Sequence, residues 1–329
     1  MKSRSLVACL LACAWLNPLA AHSAPAAPDM RVVLLGTSGP ELSPNRFGYA
    51  TLVEAGGQRL LFDIGRGTLQ RLYESRIKVI SVGAVFITHL HNDHIEGLPS
   101  LWLTPWFLLG RTLPLQIWGP AGTRSMVDGM QAMYRFDLEH RVNAFNKLEN
   151  LIPRVTEVAE GEVYSKEGVK VFAFPVKHDD GDPAFGYRIS YKGHSVVLSG
   201  DTTYSENVVR HGRNADLIVH NVIAMSEKLS KAPEMSQVLA KLTSPEQAAR
   251  VFNEAAPKLA VFSHIVKKEL HGVAGDEVVM QRTRKAGYAG PLVMGYDRMA
   301  FEIGSTVTVV QPESTADLPD LDLKEKYDN

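Results

Sequence analysis

The run His89-Leu90-His91-Asn92-Asp93-His94 puts four metal-ligating side chains into six positions, directly after the apolar Val85-Phe86-Ile87-Thr88. A divalent cation such as zinc takes neutral imidazole nitrogens and ionised carboxylates at about 2 Å. In a loop that leaves a strand, His89 and His91 can point to one side while Asp93 and His94 reach a second point nearby. One short loop can then serve two ions, and two cations about 3.5–4 Å apart acidify a shared water and offset the charge that builds on an attacked phosphoryl, sulfuryl or acyl group. The cysteines, Cys9 and Cys13, both lie near the N-terminus, so a site in the rest of the chain must use His and carboxylate.

Such a loop needs a rigid platform. Short apolar, β-branched runs recur, each stopping at or just before a polar residue: 31–35, 59–62 before Asp63, 84–88 before His89, 169–176 before His178, 195–199 before Asp201, 216–219 before His220 and 258–263 before His264. In layered α/β proteins strand ends project functional groups, which makes these His and Asp residues candidates. Between them lie helical patterns. Residues 122–135 carry Met126, Val127, Met130 and Met133 on one face, read as core packing, and 245–254 follow an N-cap at Ser244 or Thr243, with Pro245 in the first turn and Glu246 at the positive end of the helix dipole. The Gly36-Thr37-Ser38-Gly39 run lacks the Gly-Lys-Ser/Thr ending of a phosphate loop and reads as a tight turn.

Residues 1–24 read as a secretory signal: Lys2 and Arg4 precede an apolar run that is too short to span a bilayer, followed by small residues with a cleavage position near Ser23 or Ala24. Export to the periplasm or medium is expected, with no membrane span in the mature chain. Without Lys2 and Arg4, 33 basic face 36 acidic side chains, and no dense basic run offers a grip for a polyanion. No linker divides the chain, so one catalytic domain over about 30–310 is expected, with 311–329 as a polar tail.

The run from His89 to His94 has the HxHxDH signature and resembles the metallo-β-lactamase superfamily. Asp63 in LLFDIGRGT, His178 before PAFGYRI, Asp201 in VVLSGDTTYS and His264 in LAVFSHI follow in the order found in its ribonuclease Z and arylsulfatase-like branch, over roughly residues 31–303. The resemblance implies an α/β fold, the four-layer αβ/βα sandwich, with the site at one edge of two sheets. It implies that His89, His91 and His178 bind a first metal ion, that Asp93, His94 and His264 bind a second, and that Asp201 bridges them. The ions would be zinc, with manganese or iron as alternatives. A hydroxide between them would be the nucleophile, Asp93 would also orient it, and Asp63 would either steady a ligating His from outside or simply form a turn.

Two positions depart from that branch. Where ribonuclease Z relatives carry a Glu and a His that help protonate the leaving oxygen, this chain has Asn221 and Leu242. Losing such a donor costs about 10²–10⁴ in rate for a poor leaving group. These departures, together with the expected export and the acidic balance, shift the expectation to an arylsulfatase-like enzyme. Its substrate would be a small sulfate or phosphate ester with an aryl-type leaving group, and it would have no nucleic-acid partner. An acyl hydrolase of the lactonase or β-lactamase kind comes next, a ribonuclease Z-like phosphodiesterase after it, and a metal-binding protein without turnover last. His220 is either a substitute proton donor or a core residue. The apolar stretch 98–109 is open to three roles: pocket wall, homodimer interface or core. Phe47, Tyr134 and Tyr204 are softer pocket candidates, and Trp118 reads as structural. His140, His194 and His211 read as surface residues, and His271 as a loop residue that could contribute to the site.

Overall fold

The computed structural model describes residues 27–319. The expected export signal, Cys9, Cys13 and the last ten residues of the tail lie outside them. Among the described residues, fifteen strands form two sheets. The first sheet contains β1 (Met30–Gly36), β2 (Ala50–Ala55), β3 (Gln58–Phe62), β4 (Ala84–Phe86), β5 (Gln116–Gly119), β6 (Arg154–Glu157), β14 (Ala300–Ile303) and β15 (Val307–Val310). The second contains β7 (Gly161–Lys166), β8 (Val169–Val176), β9 (Ala184–Tyr191), β10 (His194–Leu198), β11 (Leu217–Met225), β12 (Leu259–Lys268) and β13 (Leu292–Met294). Their orders are β15-β14-β1-β2-β3-β4-β5-β6 and β13-β12-β11-β10-β9-β8-β7.

Alternation along the strands separates three apolar layers. Val32, Leu34, Leu60, Phe62 and Phe86 of the first sheet meet Val171, Ala173, Tyr187, Val196 and Val219 of the second in the central core. Residues of opposite parity in the first sheet, such as Val33, Leu61 and Val85, pack under Leu98, Leu101, Trp102 and Val127 of its covering helices. On the far side Val197, Ile218 and Ala260 pack under Val208, Ala248, Val251, Phe252 and Val279. The result is helix, sheet, sheet, helix, the expected four-layer α/β sandwich of the metallo-β-lactamase type.

The helix Pro245–Ala255 begins with a capping box: Ser244 accepts from the Gln247 backbone N–H, and the Gln247 side chain accepts from that of Ser244. The apolar stretch 98–109 folds as the helix Leu98–Leu108, and its role is core. Trp102 and Trp106 are fully buried, and their indole N–H groups donate to Leu151 O at 2.7 Å and Lys147 O at 3.0 Å. Among the described residues no helix is long and apolar enough to cross a membrane.

Candidate metal centre

β3 to β6 run parallel, as do β10 to β13. The carboxyl ends of the parallel strands β3, β4, β10, β11 and β12 meet at one edge of the sandwich, where loops with converging polar groups are expected. Two hydrogen bonds pin the sheets together there: Tyr187 Oη donates to Ile87 O at 2.8 Å, and Phe185 N donates to Thr88 O at 2.9 Å.

His89, His91, Asp93, His94, His178, Asp201 and His264 all come to this edge. Three groups have ligand atoms within 4.8 Å of one another: His89, His91 and His178; His89, His94 and Asp201; Asp93, His94 and His264. All are buried except His91, whose side chain is 38 % exposed. His89 Nε2 and His178 Nε2 approach His91 Nδ1 to 3.1 and 3.2 Å. Bonds of 2.0–2.1 Å around one tetrahedral ion would put nitrogens about 3.3 Å apart. Asp93 Oδ2 and Asp201 Oδ2 each lie 3.2 Å from His264 Nε2, and Asp201 Oδ2 lies 3.5 Å from His94 Nε2.

Backbone devices aim these groups. In β12 the pairing with β11 shifts between His220 and Val222, so Ser263 and His264 together oppose Asn221, and His264 sits at φ 45°. This bulge turns His264 toward the cluster, a common use of bulges beside active sites. Gly181 permits the loop after β8 to close over the site, because a methyl group there would stand 2.2 Å from His178 Cδ2 and 3.0 Å from His89 Cδ2.

Asp63, at φ 54°, does more than turn the chain. Its Oδ1 accepts from Thr88 N at 2.8 Å, and its Oδ2 from Thr88 Oγ1 at 2.8 Å and His94 Nδ1 at 2.9 Å. That leaves His94 Nε2 facing inward, buried and without a hydrogen-bond partner among the described residues, as is Asp201 Oδ1. Orphaned donor atoms on this scale need a compensating ligand, and a divalent cation suits an all-His/carboxylate set.

Titration behaviour follows the same geometry. Burial, then the crowd of neighbouring imidazoles, pushes His89 well below the usual histidine range. For His94 burial again opposes the charge, yet Asp63 and Asp201 outweigh it and hold the ring well above that range. Burial works against the charge on Asp93, but the hydrogen bond from His264 and the charge of His94 bring its carboxyl far below the ordinary range.

His220 requires a correction. β11 does not end at Val219 but runs on to Met225, so His220 lies inside a strand. Strand alternation turns it to the helix layer, edge-on to Phe252 at 5.7 Å, and burial pushes it down to about 4. Its ring packs in the core beside Phe252, the second of the two roles the sequence left open. Asn221 is also engaged, donating to Thr202 O at 2.9 Å, while Leu242 joins Ile223, Met225 and Val266 in a small apolar cluster.

The other candidates scatter. Tyr134 packs on Trp102, Tyr204 donates to Glu254 at 2.7 Å, and Phe47 lies under Arg71. Trp118 stacks on Phe86 at 4.8 Å. His140 is exposed and His194 pairs with Asp216, but His211 stacks on Phe174 at 4.4 Å rather than facing water. His271 stands at the start of the helix Gly272–Lys285 and lines a cavity of about 370 Å³. Sequence reasoning missed Tyr49, buried with its ring 5.5 Å from both His94 and His264, and Lys241, whose carbonyl takes His178 Nδ1 at 2.9 Å. Tyr49 follows Gly48 outside any polar cluster, and a backbone acceptor leaves no mark in side-chain chemistry.

Residues 58–265 match the model of the beta-lactamase superfamily domain. Ribonuclease Z of Mycolicibacterium paratuberculosis is 33 % identical over 274 residues, 82 % of this chain and 96 % of that protein. Ribonuclease Z of Mycobacterium marinum is 31 % identical over 279 residues, 83 % and 99 % of the two chains. Among solved structures, the short form of human tRNase Z superposes with a TM-score of 0.61 at 25 % identity, covering 83 % of this chain and 99 % of that one. A metallo-beta-lactamase fold protein of Bacillus subtilis reaches 0.62 at 17 % identity, covering 82 % and 98 %, a likeness of fold alone.

These relatives overturn the expectation of an arylsulfatase-like enzyme that acts on a small-molecule ester and has no nucleic-acid partner. That expectation leaned on bulk charge and on Asn221 and Leu242. Bulk charge does not report what one edge of a fold grips, and a missing proton donor bears on rate rather than on substrate class. The fold family implies divalent metal ions, which the donor set at this edge suits. The chain belongs to the metallo-β-lactamase superfamily, in the branch that holds the ribonuclease Z proteins.

Proposed function

We propose that this protein is a metal-dependent phosphodiesterase that cleaves RNA in the manner of ribonuclease Z. It would hold two divalent ions, zinc or manganese, on His89, His91, His178, Asp93, His94, His264 and Asp201. The observation that carries the reading is the convergence of these side chains at one sheet edge, in a chain that matches ribonuclease Z proteins over nearly their whole length. Bound divalent ions supply a water acidified toward neutrality and positive charge beside the phosphoryl oxygens.

The chain's own groups do the rest. Asp93 and Asp201 present carboxylate oxygens 3.2 Å from His264 Nε2, placed to accept hydrogen bonds from an attacking water and keep it oriented. Asp63 and the Lys241 carbonyl fix the rings of His94 and His178 from outside. His91, the exposed member, marks the side from which a phosphodiester enters. Asn221 and Leu242 supply no proton to the departing oxygen, so solvent or the RNA itself must do so, and the rate should fall steeply as the leaving group becomes more basic.

The test uses the full chain, stripped with chelator and reloaded with Zn(II) or Mn(II), against a 3′-extended tRNA precursor, an unstructured RNA and the matching DNA. Cleavage of RNA that requires the added metal is the expected result. Loaded protein that binds two ions yet cuts none of the RNAs would overturn the reading.

A further inference from the structure

The imidazoles of the cluster follow a pattern with two exceptions, His91 and His264. His89, His94 and His178 each turn Nε2 inward and satisfy Nδ1 outside, on Thr88 Oγ1 at 3.0 Å, Asp63 Oδ2 at 2.9 Å and Lys241 O at 2.9 Å. His91 turns Nδ1 inward, and its Nε2 stands 4.0 Å from Asp180. His264 also turns Nε2 inward, but its Nδ1 is buried with no hydrogen-bond partner among the described residues.

A second buried orphan lies beside it. Glu41 Oε2 is shielded from solvent and has no hydrogen-bond partner among the described residues. A methyl group placed on Gly39 would stand 3.1 Å from His264 Cε1, the carbon between the two ring nitrogens, and 3.2 Å from Glu41 Oε2. The ring edge and the carboxylate oxygen therefore border the same spot, which any side chain at position 39 would fill.

β12 itself holds Glu41 there. Ile265 N, next to His264, donates to Thr37 O at 2.9 Å, and Ser38 bridges Ile265. Ser38 Oγ donates to Glu41 O at 3.1 Å, and Lys268 Nζ donates to the other carboxylate oxygen, Oε1. Residues that follow His264 in β12 thus anchor both the loop, through Ile265, and the side chain, through Lys268, leaving Oε2 as the free end.

We propose that Glu41 is the outer partner of His264 and positions it as a ligand: when Nε2 gives its lone pair to a cation, Nδ1 carries the ring proton and donates it to Glu41 Oε2. Glu41 would close the contact by rotating its side chain about the Lys268 tether. The pairing repeats on His264 what Asp63 does for His94. A carboxylate at this place fixes the tautomer, holds the ring plane and makes Nε2 a better electron donor. The inference rests on reading the cluster as a metal site and is independent of RNA as the substrate.

The test reads metal affinity directly. The full chain and its Glu41→Gln and Glu41→Ala variants are titrated with Zn(II) against a chromogenic chelator, and Co(II)-loaded samples are followed by their visible absorption. Glu41→Ala should weaken one of the two ions about 10–100-fold and leave the other unchanged, with an altered Co(II) band for the weakened ion. Glu41→Gln, which keeps an acceptor oxygen but no charge, should fall between. Unchanged affinities for both ions would overturn the proposal, and so would equal weakening of both, which is what general disorder of the loop would produce. A wild-type chain that binds no divalent ion would remove the metal reading itself, and this inference with it.

Discussion

His94 and His220 make an instructive pair. Both are fully buried, and both sit where a short apolar run of the sequence meets polar chemistry. Around His94 stand Asp63 at 2.9 Å, Asp201 at 3.5 Å and Asp93 at 3.7 Å, and the ring is held well above the usual histidine range although burial opposes it. Around His220 stand Phe252 and the carbonyl of Asn221, and burial takes the ring down to about 4. Burial is the same in both places. Carboxylates within reach separate a ligand-like histidine from a core one, and a linear sequence does not display them.

The hardest test of that contrast removes the carboxylate common to the site. Asp201→Ala takes away the oxygen that lies 3.5, 3.8 and 3.2 Å from the Nε2 atoms of His94, His178 and His264. Metal content should fall and kcat/KM on RNA should drop by about 10²-fold or more, since even a partner outside the ligand set is worth about 10–100-fold. Near-normal metal stoichiometry in this variant would break the contrast at its root.

Asp63→Asn is a finer instrument. It keeps the shape of the turn and removes the charge beside His94. Metal affinity should weaken by about 10–100-fold. In metal-free protein, the His94 ring should titrate lower than in the wild type, because burial then acts with less opposition. An NMR titration that found His94 unmoved would show that Asp63 is not what holds its charge.

The third test, His220→Leu, reads folding stability rather than metal binding. With the folded pKa depressed from 6.5 to about 4, the unfolded chain takes up the proton first, so this residue's contribution to stability is present above pH 6.5 and is lost as pH falls toward 4. The whole loss is worth about 3 kcal/mol. Urea unfolding of metal-free protein at pH 7 and pH 4.5 should show a shallower fall for the leucine variant. Equal slopes would mean that the core does not hold His220 neutral.

The site was legible where chemistry is carried by side chains in a short run or at a strand end. The stretch from His89 to His94 announced itself, and His178, Asp201 and His264 stood out because each followed an apolar run. The same rule misplaced His220, since β11 and β12 continue past the polar residue for several positions, and only the bulge at Ser263 and His264 tells an aimed histidine from a packed one. The apolar stretch 98–109 left three roles open because a helix that is apolar all round looks the same against a core, a pocket or a partner. Its indole N–H groups settle the matter by bonding carbonyls of the 147–151 segment. Strands such as β5 and β6 passed unnoticed, being short and flanked by polar residues.

The return of the chain to its starting sheet has a bearing on synthesis. After β6 the polypeptide builds all of the second sheet before β14 and β15 come back to pair beside β1, with Met30 opposite Ile303 and Val33 opposite Ala300. Every candidate ligand, the last being His264, is therefore translated before the first sheet is closed. A nascent chain stopped short of residue 300 would own a full set of donor groups and still present the bare edge of β1, an open template for pairing with another chain. The final strand pair works as a late seal, and β14 with β15 decides whether the unfinished molecule stays solitary.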